Sequence, residues 1–404
     1  MGTSLSDIDF SEWVVSLRRH FHQYPELSNS EVKTQEKLMI ELELLGIECH
    51  EIAGTGVIGT IKGGQQGKTI ALRADIDALR IQEQYTSINK VYISKNNGIM
   101  HACGHDGHMA MVLGAARLLQ EIRHKLKGNV KLIFQPAEEI PPGGAIEVIK
   151  EKGLKGVDAI LGIHLFPNYE SGRICFNKGA MMASNCKFEI TITGKSGHHF
   201  NADACMDPIS MGAEFISIIR NEIREILPQS ARYVFEIGTI HGGDQFNQIP
   251  DMLTISGSYR VLDIEQIPKI EQTIRQVLDF IISKHRKENS ENLPQYRLTI
   301  VEGYPVLKNN PVFTNAAINI FKNHSMQIEE DIRPVMASDD FAYYLNEVPG
   351  IFLFLGTRNI QKGLTNELHS NCFDFDEKIL HTGVEVLFML VCDFLEEPLK
   401  YLIN

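Results

Sequence analysis

The sequence predicts an α/β protein interrupted by a smaller α+β insert. Three observations carry this. Up to residue 183, short apolar runs alternate with segments of helical period, as in a sheet covered by helices. Between 184 and 302 the strand-like runs alternate apolar and polar residues, as half-buried antiparallel strands do. From 303 to 404 the first style returns, so the outer segments form one domain and the middle is an insertion.

The first helix spans residues 11–24, with Trp13, Val14, Leu17 and Phe21 at helical spacing and Pro25 as its stop. A second follows Ser28 or Ser30 and ends at Gly46. Strands are expected at Gly56–Ile61 and Thr69–Ile76, the latter running into Asp75 and Asp77. Carboxylates after a strand are more often turn formers, although strand ends are also where α/β sites assemble. A helix over Met109–Leu126 precedes the buried strand Val130–Phe134, which runs into Glu138 and Glu139. Adjacent glutamates are usually a solvated pair. If extended backbone persists, the two side chains point to opposite sides. A helix at Ala145–Lys152 and a strand at Ala159–Ile163 follow, the strand ending at His164.

In the insert, Phe188, Ile190 and Ile192 mark one strand, Tyr233, Phe235 and Ile237 another, and Leu253, Ile255 and Tyr259 a third. Helices lie near 206–226 and 264–286, and Tyr296, Leu298 and Ile300 close the set. The order βαββαβ is the ferredoxin-like unit. Beyond it come helices near 310–324, 338–347 and 375–396, the buried strand Ile351–Leu355, and His369 in a polar loop.

Composition narrows the function classes. With 43% hydrophobic and 22% charged residues the 404-residue chain is an ordinary globular protein. A net charge of −12 argues against nucleic acid or an anionic membrane as partner. The 7 cysteines are scattered and odd in number, which fits free thiols in a reducing compartment. No run reaches the apolar length of a membrane span, and the polar, acidic N-terminus is not a secretory signal. Met1-Gly2 with Ser6 fits a myristoylation pattern, but Asp7, Asp9 and Glu12 oppose stable anchoring. The expected location is the cytoplasm.

The chemistry centres on Met100-His101-Ala102-Cys103-Gly104-His105-Asp106-Gly107-His108. A thiol, three imidazoles and a carboxylate within nine positions are side chains that bind borderline transition metals. Gly104 and Gly107 let the backbone turn tightly. The bland alternative is a loop with incidental histidines. Cys103 and His105 alone are too few ligands, and the chain offers Glu139, His164 and His369 at strand ends and in the last polar loop. Such a set suits two ions sharing a water.

Thr69 to Leu79, Met100-His101-Ala102-Cys103-Gly104-His105-Asp106, Phe134-Gln135-Pro136-Ala137-Glu138-Glu139 and Gly162-Ile163-His164 resemble the amidohydrolase branch of the aminoacylase/carboxypeptidase metallohydrolases. That branch includes hippurate hydrolases, auxin-conjugate amidohydrolases and N-acetyl-diaminopimelate deacetylases. The resemblance covers nearly the whole chain. It implies a mixed-sheet dinuclear catalytic domain over 1–183 and 303–404, with 184–302 as an inserted ferredoxin-like lid and dimerisation domain. It implies two divalent ions (zinc, manganese, cobalt or nickel) on Cys103, His105, Glu139, His164 and His369, and Glu138 as general base. His198 in Gly194-Lys195-Ser196-Gly197-His198 matches a histidine that reaches the reacting carbonyl, often from a partner subunit. Asn247 and Arg260 match positions that hold the substrate carboxylate. The implied substrate is an N-acyl amino acid, cleaved by a homodimer or higher oligomer joined through the insert. A dipeptidase or carboxypeptidase is the alternative, and a non-catalytic binding relative would be marked by lost ligands. The chain departs from the family pattern at Arg80, at His199-Phe200-Asn201-Ala202-Asp203, at Asp339-Asp340 and at Asn371.

Overall fold

In a computed structural model the described residues are 5–286 and 294–402, so the Met1-Gly2 pattern lies outside them. The chain divides into two compact units. Unit 1 holds Met1–Met181, Leu307–Arg333 and Asp339–Asn404, and unit 2 holds Met182–Val306 and Pro334–Ser338. Among the described residues no helix is long and apolar enough to cross a membrane.

The elements run α1 (Leu5–Gln23), α2 (Val32–Leu44), β1 (Glu48–Ile52), β2 (Gly56–Lys62), β3 (Gln65–Asp75), α3 (His105–Glu121), β4 (Lys127–Gln135), α4 (Gly144–Lys150), β5 (Ala159–Glu170), β6 (Ile174–Cys175) and β7 (Ala180–Met182). There follow β8 (Cys186–Thr193), β9 (Gly197–His198), α5 (Pro208–Ile226), β10 (Tyr233–His241), β11 (Gln248–Ile249), β12 (Met252–Val261), α6 (Gln266–Lys284) and β13 (Gln295–Glu302). The chain ends with β14 (Leu307–Lys308), α7 (Pro311–Asn323), β15 (Ile328–Glu329), α8 (Phe341–Glu347), β16 (Gly350–Arg358), α9 (Ile379–Glu396) and α10 (Leu399–Leu402).

Unit 1 is built on an eight-stranded mixed sheet in the order β1-β2-β4-β3-β5-β16-β6-β15. Its centre, β4-β3-β5-β16, is parallel, while β1, β2 and β6 join antiparallel. Parallel strands are buried on both faces, so they read as continuous apolar runs. Ile70–Leu72, Leu132–Phe134 and Ile351–Leu355 are all buried. Helices α3 and α9 pack on each other and on β3, and α1 packs on α3. The approach of α3 to α9 needs glycine at both crossing points. A Cβ on Gly114 would meet Val384 at 2.5 Å, and one on Gly383 would meet the Met111 sulfur at 2.0 Å. Beyond the Arg73–Gly162 pair, Asp75 and His164 bring ligand atoms within 4.8 Å of each other at the carboxyl end of β3. That end is where open α/β sheets assemble ligand sites.

Unit 2 has a four-stranded antiparallel sheet in the order β10-β12-β8-β13. The apolar stripes of α5 and α6 close a core with Phe188, Ile190, Ile192 and Ile255. Pro208 starts α5 at a position that needs no amide donor, and the Asp207 side chain accepts from Ile209 N–H. A separate two-stranded ladder pairs β9 with β11, with His198 opposite Gln248.

Candidate metal centre

The central motif is not a free loop. Helix α3 begins at His105, four residues earlier than its apolar period suggests, so His105, Asp106 and His108 occupy its first turn. Gly104, just ahead of it, has φ 86°, a left-handed conformation that a side chain would strain. Gly107 does not turn the chain. It is helical, and a Cβ there would meet Leu165 at 2.7 Å and Phe375 at 2.9 Å. Asp106 sits where the helix dipole favours a negative charge.

Hydrogen bonding sorts the motif's imidazoles. His105 Nδ1 donates to the Asp77 carbonyl at 2.8 Å, leaving Nε2 with its lone pair. His164 Nδ1 donates to the Leu165 carbonyl at 2.7 Å, and its Nε2 stands 3.6 Å from Cys103 Sγ. Both tautomers are thus set for ligation through Nε2. His108 is used up: its Nε2 accepts from Leu165 N–H at 2.9 Å, so its Nδ1–H donates to Asp75 at 2.6 Å. His101 is buried, and burial pushes its pKa down to about 3, which makes it a neutral imidazole.

The glutamate pair follows a turn, not an extended strand. Strand β4 stops at Gln135, and Ala137 has φ 55°. Two buried carboxylates hold this strained turn. Ala137 N–H donates to Glu31 at 2.9 Å, and Glu139 N–H donates to Asp77 at 3.0 Å. Glu138 is pinned between them by its neighbours on both sides. His164 is not a strand end either, since β5 continues to Glu170. His369 has φ 63°, and its N–H donates to the Ala102 carbonyl at 2.8 Å, which fastens the last loop to the motif.

These constraints bring Cys103, His105 and His164 together, with ligand atoms all within 4.8 Å of one another. The same holds for Cys103, Glu139 and His369, and for His105, Glu138 and Glu139. Glu139 Oε1 lies 3.4 Å from His369 Nε2. A cation fits this donor set. His105 Nε2 and Glu139 Oε1 are buried without any hydrogen-bond partner, a costly state for polar atoms unless an ion completes it. The charge balance agrees. Burial, then Glu139 and Glu138, push the Cys103 thiol well up. Burial, then Asp339 and Glu139, push the Glu138 carboxyl well up. Burial alone would lower His105, but Asp75, Asp77 and Glu139 outweigh it and hold its pKa up to about 10. All three shifts favour the less negative form of the group, as expected of a donor cluster that calls for positive charge.

Behind the donors lies a second buried array that the chain order hides. Arg73 donates to Asp75 at 2.6 Å, to Asp340 at 2.8 Å and to Gln135 at 2.9 Å. Asp75 and Asp77 are therefore buried supports and not turn formers. The only sequence signal for this array is polar side chains inside or beside apolar strands, at Arg73, Asp75 and Gln135.

In unit 2, His198 and Asn247 are brought together. His199 N–H donates to the Asn247 carbonyl at 3.2 Å, continuing the β9–β11 ladder. Arg260 lies on β12, in the other sheet, and donates to the Met336 carbonyl at 2.9 Å.

A family model described as peptidase family M20/M25/M40 matches residues 71–393. The chain belongs to this family. As a member of M20/M25/M40 it is a hydrolase of amide C–N bonds. It is 35% identical over 389 residues to thermostable carboxypeptidase 1 of Saccharolobus solfataricus, covering 96% of each chain. It is also 35% identical over 395 residues to an N-acetylcysteine deacetylase of Bacillus subtilis, covering 97% of this chain and 99% of that one. A solved Bacillus subtilis structure described as a dinuclear metal binding peptidase of the M20 family matches with a TM-score of 0.84 at 35% identity, covering 96% and 99% of the two chains. Candidate groups for metal ions are present in this M20 chain as well.

Proposed function

We propose that the chain is a metal-dependent amidohydrolase that cleaves N-acyl amino acids to a free amino acid and a carboxylic acid. The observation that carries this is the buried Glu138, held between two anchored neighbours beside unpartnered ligand atoms on His105 and Glu139. The deacetylase name of a relative covering nearly the whole chain supports the substrate class.

Cys103, His105, Glu139, His164 and His369 would hold two divalent ions, zinc, manganese, cobalt or nickel. Such ions, when bound, polarise a carbonyl and acidify water. Glu138 takes the proton of the water that adds to the amide carbon. It passes that proton to the nitrogen as the C–N bond breaks. Burial raises the pKa of Glu138, which favours holding the proton between the two steps, and bound cations would offset that rise so that the carboxylate can take it. His198 suits an oxyanion donor. Its Nδ1 accepts from Phe200 N–H at 3.3 Å, so the neutral ring carries its proton on Nε2. Asn247 and Arg260 would hold the substrate carboxylate, Arg260 through its planar fork. Unit 2 is proposed as a ferredoxin-like lid through which two copies pair. Phe200 and Phe246, 87% and 91% exposed, support a contact surface there.

The carboxypeptidase name of another relative favours a second reading, cleavage of peptides at a free carboxyl end. A metal-replete screen of N-acetyl and N-benzoyl amino acids against dipeptides separates the two. Faster release from the acyl amino acids is expected. A preference for dipeptides supports the second reading, and no release from either class overturns both.

A further inference from the structure

The metal-site loops come from distant parts of unit 1, and one side chain outside the matched family region ties two of them together. Arg18 lies on α1, ahead of residues 71–393. It is 1% exposed, too buried for a solvated surface charge. Its Nε donates to Asp106 Oδ2 at 2.8 Å, one residue beyond His105. A terminal nitrogen donates to Asp374 Oδ1 at 2.7 Å, five residues beyond His369. The guanidinium is clamped between the rings of Tyr92 and Phe375, 4.6 and 4.4 Å from their centroids. Tyr92 also donates its hydroxyl to Asp374 at 2.8 Å. Next along α1, His22 bridges Asp106 at 2.7 Å and Glu83 at 3.1 Å. These groups form a buried brace behind the donors, with no ligand atom of its own.

We propose that Arg18 is a positioning residue that locks the His105 turn and the His369 loop into one metal-binding geometry. A planar fork with donors at fixed angles is the side chain suited to this, since it meets two carboxylates without freedom to swing. Lysine would keep the charge and lose the angle. The brace would act on the site by setting how far the ligands must move to close on an ion. Partners that orient ligands typically change metal affinity by about 10–100-fold. This inference rests on the metal reading above.

The test uses metal-stripped full-length protein and Mn2+ alone, titrated by calorimetry, with the unfolding midpoint measured beside it. Arg18→Lys should weaken Mn2+ binding about tenfold or more and Arg18→Met further, by up to about 100-fold. At saturating Mn2+ both should regain much of kcat with KM unchanged. Arg220→Ala is the control, because Arg220 pairs with Glu236 on exposed side chains of unit 2 and shares no partner with Arg18. Should Arg18→Met not fold, Asp374→Asn cuts the tie to the His369 loop while keeping side-chain volume, and it should weaken Mn2+ in the same way. Wild-type dissociation constants in Arg18→Lys and Asp374→Asn, with only the midpoint lowered, overturn the positioning role and leave the metal reading intact. A wild type that takes up no Mn2+ overturns the metal reading and this inference with it.

Discussion

His105 Nε2 and Glu139 Oε1 face each other 3.9 Å apart, both buried and neither with a hydrogen-bond partner. Asp77 holds both partners. The Asp77 carbonyl fixes the ring of His105, and the Asp77 carboxylate fixes the backbone of Glu139. One aspartate thus sets the positions of two ligand candidates from separate elements.

Glu138 is next to this pair and is assigned the proton transfers. Glu138→Gln should bind metal as wild type does and lose about 10²–10⁴-fold in kcat, the usual cost of removing a general base. Elemental analysis with steady-state rates checks it. Near-normal turnover would move the role to another group.

Metal affinity should climb with pH. In metal-free protein His105 titrates at about 10, and the Cys103 thiol lies well above its ordinary value. Both therefore carry protons near neutrality and must release them to ligate. Proton release, read as a buffer-dependent heat in calorimetry, should accompany Mn2+ uptake. Its absence, with affinity flat from about pH 6 to 9, would remove Cys103 and His105 from the ligand set.

Much of unit 1 is legible in the sequence because its strands are buried on both faces. Apolar runs such as Val130–Phe134 and Ile351–Leu355 leave little choice of element. The proximity of Glu139 and His164 follows from β4 and β5 reaching the same carboxyl end of the sheet. What is not legible is long-range charge. Nothing local to Arg18 announces that it meets Asp106 and Asp374, 88 and 356 residues away. Short pairings such as β6 with β15 escape for the same reason, since two residues carry no period. The turn at Ala137 hides too, because alanine gives no sign of a left-handed conformation that Glu31 and Asp77 hold from outside.

The His22 bridge predicts a pH-dependent stability. Burial and Arg18 push His22 down, but Asp106 and Glu83 outweigh them and hold its pKa at about 9. A folded value above the unfolded one of 6.5 means the stabilisation is complete below pH 6.5 and fades as pH rises through about 9. Its size is on the order of 3 kcal/mol. Thermal midpoints of metal-free protein should fall across that window, and His22→Gln should flatten the fall. An unchanged slope in the variant would contradict the bridge.

His198 gives an assembly prediction. If it acts on the partner's site, mixing His198→Ala with Glu138→Gln chains creates heterodimers with one intact site. Activity should then return to a sizeable fraction of wild type. Verified heterodimers that stay inactive would confine His198 to its own chain.

The most direct test is a titration of metal-stripped protein with Mn2+ while hydrolysis of an N-acetyl amino acid is followed. Activity should rise from near zero and level off at two equivalents per chain, and His105→Ala and Glu139→Ala should each lower the bound metal. Full activity without added ion in chelator, or metal uptake unaltered by both substitutions, would contradict the account.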